Sequence, residues 1–599
     1  MIHFTVETDG VNTHLFGLTL KIKQPAARQR VSLPVWIPGS YLVREFSKNL
    51  QGLKASQRGR SVVIHQLDKA TWEIDCLAGQ QLELSYQIYA LDNSVRTAWL
   101  DASRGFFNGT SLFLRVDGQT GAPHQVQIKA PRDVKGWHLA TGLQAVKVNA
   151  AGFGLYQADD YDQLADCPVE MGLFWSGSFK ACGVPHRFVV AGALPSFDGA
   201  RLLADAQKIC DVQVGFWHPD AYKKGARNKL PHRNYVFMLN VVDDGYGGLE
   251  HRNSTALICN RKDLPRVGDK VFANGKQSEG YTTLLGLISH EYFHTWNVKR
   301  LRPSEFTEFD YGAENYTRLL WFFEGFTSYY DDLLLRRAGL IDDATYLKLV
   351  NKTINQVMQT PGRLVQSVAQ SSFDAWVKYY RQDENTPNAT VSYYTKGSLV
   401  ALCLDLTLRQ EGRTTLDDVM RALWARCAGG PMQEADLLAV LLQLAGRSFE
   451  GELQTWVHST AELPLKSLLD NQSVAVYEDP AQLAQVLGLR VHEANGIVIK
   501  NVLRGGAAEA AGFAAGDEWV GVTLRPGLTK GSGTRGKPSS WRLHKLDELG
   551  LYLGTAKRFD AIVARDRQLL HLPVTLPESV ATWRLALRDA ERVRLWLAN

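Results

Sequence analysis

From residue 1 to about 170, apolar and polar positions alternate, broken often by Gly, Pro, Asn and Asp. Val31-Ser32-Leu33-Pro34-Val35-Trp36-Ile37 and Leu82-Glu83-Leu84-Ser85-Tyr86-Gln87-Ile88 are examples. A period of two with frequent turn signals predicts a β-sandwich-like N-terminal domain over 1–170. The pattern is mixed from about 171 to 260. Leu202 to Trp217 predicts a helix, and Tyr235 to Leu239 and Ser254 to Ile258 predict strands flanking a Gly-rich turn. Helical spacing then dominates to about 475, over Tyr281–Val298, Thr317–Ala338, Asp343–Met358, Ser392–Gln410 and Thr415–Ala425. Near 480 the style changes again. A strand, Gly496 to Val502, precedes a Gly-Ala-rich run, Gly505 to Phe513, and then Gly516-Asp517-Glu518-Trp519-Val520. Arg525 to Ser540, rich in Gly, Lys and Ser, predicts a mobile loop. The domains expected are 1–170, 171–478 and 479–599 of a multidomain α+β protein.

Composition narrows the class. A length of 599 residues suggests several cores. The 67 Lys and Arg against 62 Asp and Glu give +5, near neutrality for this length. That balance gives no warrant for a nucleic-acid or membrane partner. Seven scattered cysteines without a C-x-x-C pair predict reduced thiols. No signal peptide is visible, and no apolar run reaches membrane-spanning length, so a cytoplasmic location is expected.

The chemistry is concentrated at His290-Glu291-Tyr292-Phe293-His294. Histidines at i and i+4 share a helix face, where both can reach one zinc ion. Glu291 beside the first can take a proton from metal-bound water. A third ligand must come from elsewhere. Glu324, in the apolar run Trp321-Phe322-Phe323-Glu324-Gly325-Phe326, is the candidate, since a carboxylate there is costly unless paired or bound to metal. His290, His294 and Glu324 make a set of two histidines and one glutamate for a single Zn²⁺, with water in the fourth position.

This arrangement, with Glu324 thirty residues after His294, resembles the gluzincin metallopeptidases. The longer string His290 to Pro303 resembles the glycyl aminopeptidase family, as do Trp36-Ile37-Pro38-Gly39-Ser40-Tyr41 and Tyr161-Asp162-Gln163-Leu164-Ala165-Asp166-Cys167-Pro168. The resemblance implies a β-rich N-terminal domain, a thermolysin-like, mainly helical catalytic domain with a small antiparallel sheet, and a C-terminal PDZ domain. Gly247-Gly248-Leu249-Glu250-His251 is similar to the Gly-x-Met-Glu-Asn element of the related aminopeptidase N group. The likeness implies that Gly247 and Gly248 line the peptide and Glu250 holds its free amine. His251 departs from that element. Ser392-Tyr393-Tyr394-Thr395-Lys396-Gly397 resembles the group's Tyr-x-Lys-Gly element, making Tyr394 the oxyanion donor and Tyr393 the fallback.

The reading that follows is a zinc aminopeptidase acting on peptides with a free N-terminus, with the preference for Gly and Ala implied by the resemblance alone. The PDZ-like stretch implies a peptide ligand of its own. The alternatives are a PDZ-guided endopeptidase and a catalytically silent peptide-binding scaffold. Lys299, Arg300 and Arg302 after the metal helix read either as cations at a helix C-terminus or as substrate contacts.

Overall fold

The computed structural model describes residues 2–8, 10–224, 230–269, 277–524 and 538–598. Of the loop expected at Arg525 to Ser540, residues 525–537 lie outside the described residues. The chain divides into two compact units. One comprises Met1–Thr317, Tyr330–Asp342 and Asp417–Val440; the other comprises Arg318–Tyr329, Asp343–Leu416 and Leu441–Asn599.

The alternation at the start of the first unit becomes an eight-stranded sheet and two four-stranded sheets. Ile2–Thr8 lies inside the large sheet, parallel to His124–Ile128 and antiparallel to Leu15–Ile22. Its alternate residues Ile2, Phe4 and Val6 are buried, as period-two patterning requires.

The same unit holds a five-stranded sheet: β1 (Trp175–Ala181), β2 (Val184–Ala191), β3 (Tyr235–Val242), β4 (Gly247–His251) and β5 (Ser254–Asn260), in the order β1-β2-β3-β5-β4. The sheet is mixed, not antiparallel as expected, because β3 runs parallel to both β2 and β5. Helix α1 (Gly199–Trp217) accounts for the first parallel pair, since parallel neighbours need a long crossover. Gly247 to His251, expected as a turn, is the edge strand β4, antiparallel to β5. Val236, Met238, Leu249 and Ala256 of this sheet belong to the same hydrophobic cluster as the N-terminal strands, so the two regions share one core.

Helix α2 (Glu279–Phe293) follows. The Ser278 hydroxyl caps it by accepting from the Tyr281 amide. Helix α3 (Leu320–Arg337) contributes Leu320 to Tyr329 to the second unit and Tyr330 onward to the first.

The second unit is helical to about residue 471, around α4 (Thr395–Glu411), which is buried along most of its length. It ends in a sheet of six strands running from Leu489–Glu493 to Gln568–Thr575. Val474–Pro480 pairs separately with Ala581–Leu587. Leu487, Ile497, Ile499, Trp519, Val563 and neighbouring side chains form that region's own core.

Candidate active site

Helix α2 is apolar on nearly all sides. Leu284, Leu285, Leu287, Ile288, Tyr292 and Phe293 are buried, so packing fixes the helix on every face except the one carrying the histidines. His290 and His294 stand one turn apart with ring centroids 4.6 Å apart. Each ring is oriented through Nδ1. His290 Nδ1 lies 3.0 Å from Asp331 Oδ2 on α3, and His294 Nδ1 lies 2.7 Å from the Asn297 carbonyl. Donation from Nδ1 selects one tautomer and makes Nε2 the nitrogen each ring would offer a metal. Burial pushes the Asp331 carboxyl up, while the bond from His290 pulls it down.

The helix ends at Phe293, earlier than the periodicity to Val298 suggests. The chain turns back there, with the Lys299 amide donating to the His294 carbonyl. That turn brings the Asn297 carbonyl to the His294 ring. The back of the helix is held as well. The Ser289 hydroxyl donates to the Asp331 carbonyl, and Gln213 on α1 donates to both oxygens of Ser289. Tyr292 OH meets His186 Nε2 at 2.9 Å. Burial lowers the His186 pKa to about 4, so that ring is neutral and accepts the phenol proton.

Glu291 lies against the edge strand. A β-carbon on Gly248 would stand 2.6 Å from Glu291 Cγ, so glycine is what lets the carboxylate occupy that space. Glu250, two residues along β4, shares the same face of the strand. Oxygens of Glu250 and Glu291 and a ring nitrogen of His294 all lie within 4.8 Å of one another, and all three residues are buried. Two carboxylates packed this closely favour a cation between them.

Glu250 is in turn covered by Gly39, at φ 92°, whose added β-carbon would come within 2.7 Å of Glu250 Oε2. Only glycine brings the backbone of the 36–41 loop so near. That loop, with Glu250, Arg252 and Lys299, lines a cavity of about 180 Å³. Arg96 Nη2 donates to the Gly248 carbonyl at 3.2 Å.

Asp166 is the hub behind Glu250. Its carboxylate accepts from His251 Nδ1, from the Arg252 amide and Nε, and from Lys299 Nζ, all between 2.8 and 3.1 Å. Burial pushes its carboxyl up, but Lys299, His251 and Arg252 outweigh that and hold it well below the usual range. The departure at His251 is thereby explained: the ring anchors the strand. The three basic residues after α2 are all engaged within the protein. Lys299 pairs with Asp166, Arg300 donates to the carbonyls of Arg252, Thr295 and Pro231, and Arg302 donates to that of Phe306.

In the second unit, Glu324 is 2% exposed on α3. It precedes Asp331 by seven residues, about two turns of the same helix face. The next residue, Gly325, abuts Gly397 of α4, where a β-carbon would lie 2.6 Å from the Gly397 backbone. The glycines of the two motifs thus let the helices meet at backbone contact. Tyr394 immediately precedes α4. Its ring stacks on Tyr393 at 4.7 Å and lies 5.6 Å from Tyr379. Burial and then the charge of Glu324 hold the Tyr394 phenol protonated, well above its ordinary range. Tyr393 is fully buried, whereas Tyr394 retains exposed surface.

Asp331, Asn297, Gly39 and Asp166 were not among the sequence candidates for the site. Asp331 left a signal, an acidic residue two turns from Glu324 in an apolar helix. Gly39 and Asp166 lay inside family-like motifs with no role attached. The Asn297 contact is through the backbone and left none.

The family model of the Peptidase M61 N-terminal domain matches residues 3–173, and that of M61 glycyl aminopeptidase matches residues 283–400. A solved structure, an aminopeptidase N family protein from Idiomarina loihiensis, is 34% identical over 100% of both chains, with a TM-score of 0.91. An M1 zinc metallopeptidase from Deinococcus radiodurans is 14% identical over 78% of this chain and 94% of its own, with a TM-score of 0.46. Legionella pneumophila aminopeptidase A is 10% identical over 91% of this chain and 55% of its own, also at 0.46. At those scores the last two carry no weight here. No curated protein matches. The matches define a peptide hydrolase of the metallopeptidase class. The chain belongs to the M61 glycyl aminopeptidase family. Among its described residues, no helix is long and apolar enough to cross a membrane.

Proposed function

We propose that this chain is a zinc aminopeptidase that releases small N-terminal residues, Gly and Ala, from peptides. The observation that supports this reading most is the grouping of buried Glu250 and Glu291 at His294, two carboxylates that would serve as amine binder and base. The donor set fits zinc. Both imidazoles are oriented through Nδ1, and Glu324 supplies a buried carboxylate. Bound there, zinc would polarise the scissile carbonyl and acidify a water.

The protein's own residues do the rest. Glu250 binds the ammonium, which a blocked amide cannot replace. Gly248 gives Glu291 room to reach the attacking water and take its proton, which then passes to the leaving amine. Tyr394, protonated, donates to the developing oxyanion. The Gly and Ala preference rests on family membership. The β4 edge can take an extended peptide as an added strand.

The C-terminal six-stranded region is proposed as PDZ-like and open to a peptide ligand. Its support is the order strand, short helix Ala507–Ala511, strand, with Gly488 at φ 72° before Leu489.

The test is hydrolysis of alanyl and glycyl chromogenic amides, with chelator and after zinc is restored. Loss with chelator and recovery with zinc are expected, and Glu291→Gln should keep zinc and lose nearly all turnover. Activity indifferent to chelator, in a protein free of metal, would overturn the zinc reading.

A further inference from the structure

A second cavity, of about 490 Å³, lies wholly within the second unit. Its walls are apolar, from Val357, Met358, Leu399, Leu463, Leu465 and Trp583. It also holds four charged side chains, three of which are neutralised by other partners. Glu462 pairs with Arg363 at 3.0 Å, Asp470 with Arg588 at 3.2 Å, and Lys466 with Glu478 at 3.8 Å. The fourth is Lys396. It is 2% exposed, it lines the cavity, and among the described residues its ammonium makes no hydrogen bond or ion pair.

A buried ammonium without a partner is costly. Burial accordingly lowers its pKa, with the charge of Glu462 acting in opposition. A cavity of this size with one convergent charged group has the form of a small-molecule site. The ligand that would satisfy it carries one negative charge and an apolar body. We propose that this cavity binds an amphiphilic monocarboxylate, with the carboxylate on Lys396 and the apolar body against Leu399, Leu463 and Trp583. A free aromatic or branched-chain acid and the C-terminal end of a peptide share that chemistry. None of the proposed catalytic residues lines the cavity, and its occupancy does not depend on the aminopeptidase reading.

The cavity contains its own reporter, Met358. The full-length protein is labelled with ¹³C-methyl methionine, and the Met358 resonance is assigned with Met358→Leu. It is then titrated with 3-phenylpropionate, with N-acetylphenylalanine as a peptide-end mimic, and with the neutral 3-phenylpropionamide. Either acid should shift Met358 saturably, the tighter of the two naming the source, and the amide should bind at least about 10-fold more weakly, as loss of a charge-assisted bond implies. Lys396→Leu should remove the preference for acid over amide. Leu463→Trp, which fills the cavity, should abolish the shift. Equal binding of acid and amide, no Met358 response to either acid, or an undiminished acid preference in Lys396→Leu would overturn the proposal. Should Lys396→Leu fail to fold, the acid–amide comparison in the wild type and Leu463→Trp decide.

Discussion

Gly248 and Glu291 are fitted to each other: where a side chain on residue 248 would begin, the Glu291 side chain passes. The edge strand therefore sets the position of the proposed base. Gly248→Ala should push Glu291 aside without touching either histidine. A fall in kcat of about 100-fold or more is expected, of the size a misplaced catalytic group produces, with metal content unchanged. Turnover by Gly248→Ala within a few-fold of wild type would show that Glu291 does not need this space.

His290 depends on Asp331 in a comparable way. The carboxylate fixes the ring's tautomer and raises its basicity. Asp331→Ala should weaken metal affinity by about 10- to 100-fold, read by competition with a graded chelator. Asp331→Asn, which keeps an acceptor, should weaken it less. Unaltered affinity in both would mean that the 3.0 Å contact does not tune the ligand.

Asp166 makes a prediction about pH. Its folded-state pKa is depressed, so the carboxylate stabilises the fold fully above the unfolded value of about 4. That contribution is lost as pH falls below 4 and through the lower folded value. Asp166→Asn leaves the buried Lys299 without its counter-charge and should cost about 3–5 kcal/mol at neutral pH. In denaturation curves the gap between wild type and variant should be full at pH 7 and narrow below pH 4. A gap that widens on acidification would reverse the sign of the argument. The variant should also raise KM for free-amine substrates more than it lowers kcat, because Asp166 holds the strand that carries Glu250.

How much of this was legible in the sequence differs by residue. That His290 and His294 stand one turn apart could be read directly, because helix periodicity alone puts i and i+4 on one face. Glu324 was readable as a carboxylate stranded in an apolar run. The sheet-rich start and helical middle followed from the hydrophobic periods. The parallel pairing of β3 did not, because short apolar runs carry no record of strand direction. Nor did the edge strand: Gly247 and Gly248 read as a turn, and the space that Gly248 leaves for Glu291 exists only in the folded chain. Gly39 and Asp166 act on Glu250 and its neighbours across long sequence separations, which a single chain read in order does not reveal. Their motifs stand out in the sequence, but what these two residues do depends on tertiary packing.

The aminopeptidase reading stands on Glu250 holding a free amine. The most direct measurement compares kcat/KM for an alanyl chromogenic amide and its N-acetyl counterpart, in wild type and in Glu250→Gln. Expected are strong hydrolysis of the free-amine substrate by wild type, little of the acetylated one, and a rise in KM of about 10-fold or more in Glu250→Gln, as loss of a charge-assisted contact implies. Equal cleavage of free and acetylated substrates by wild type would contradict the reading and favour an endopeptidase.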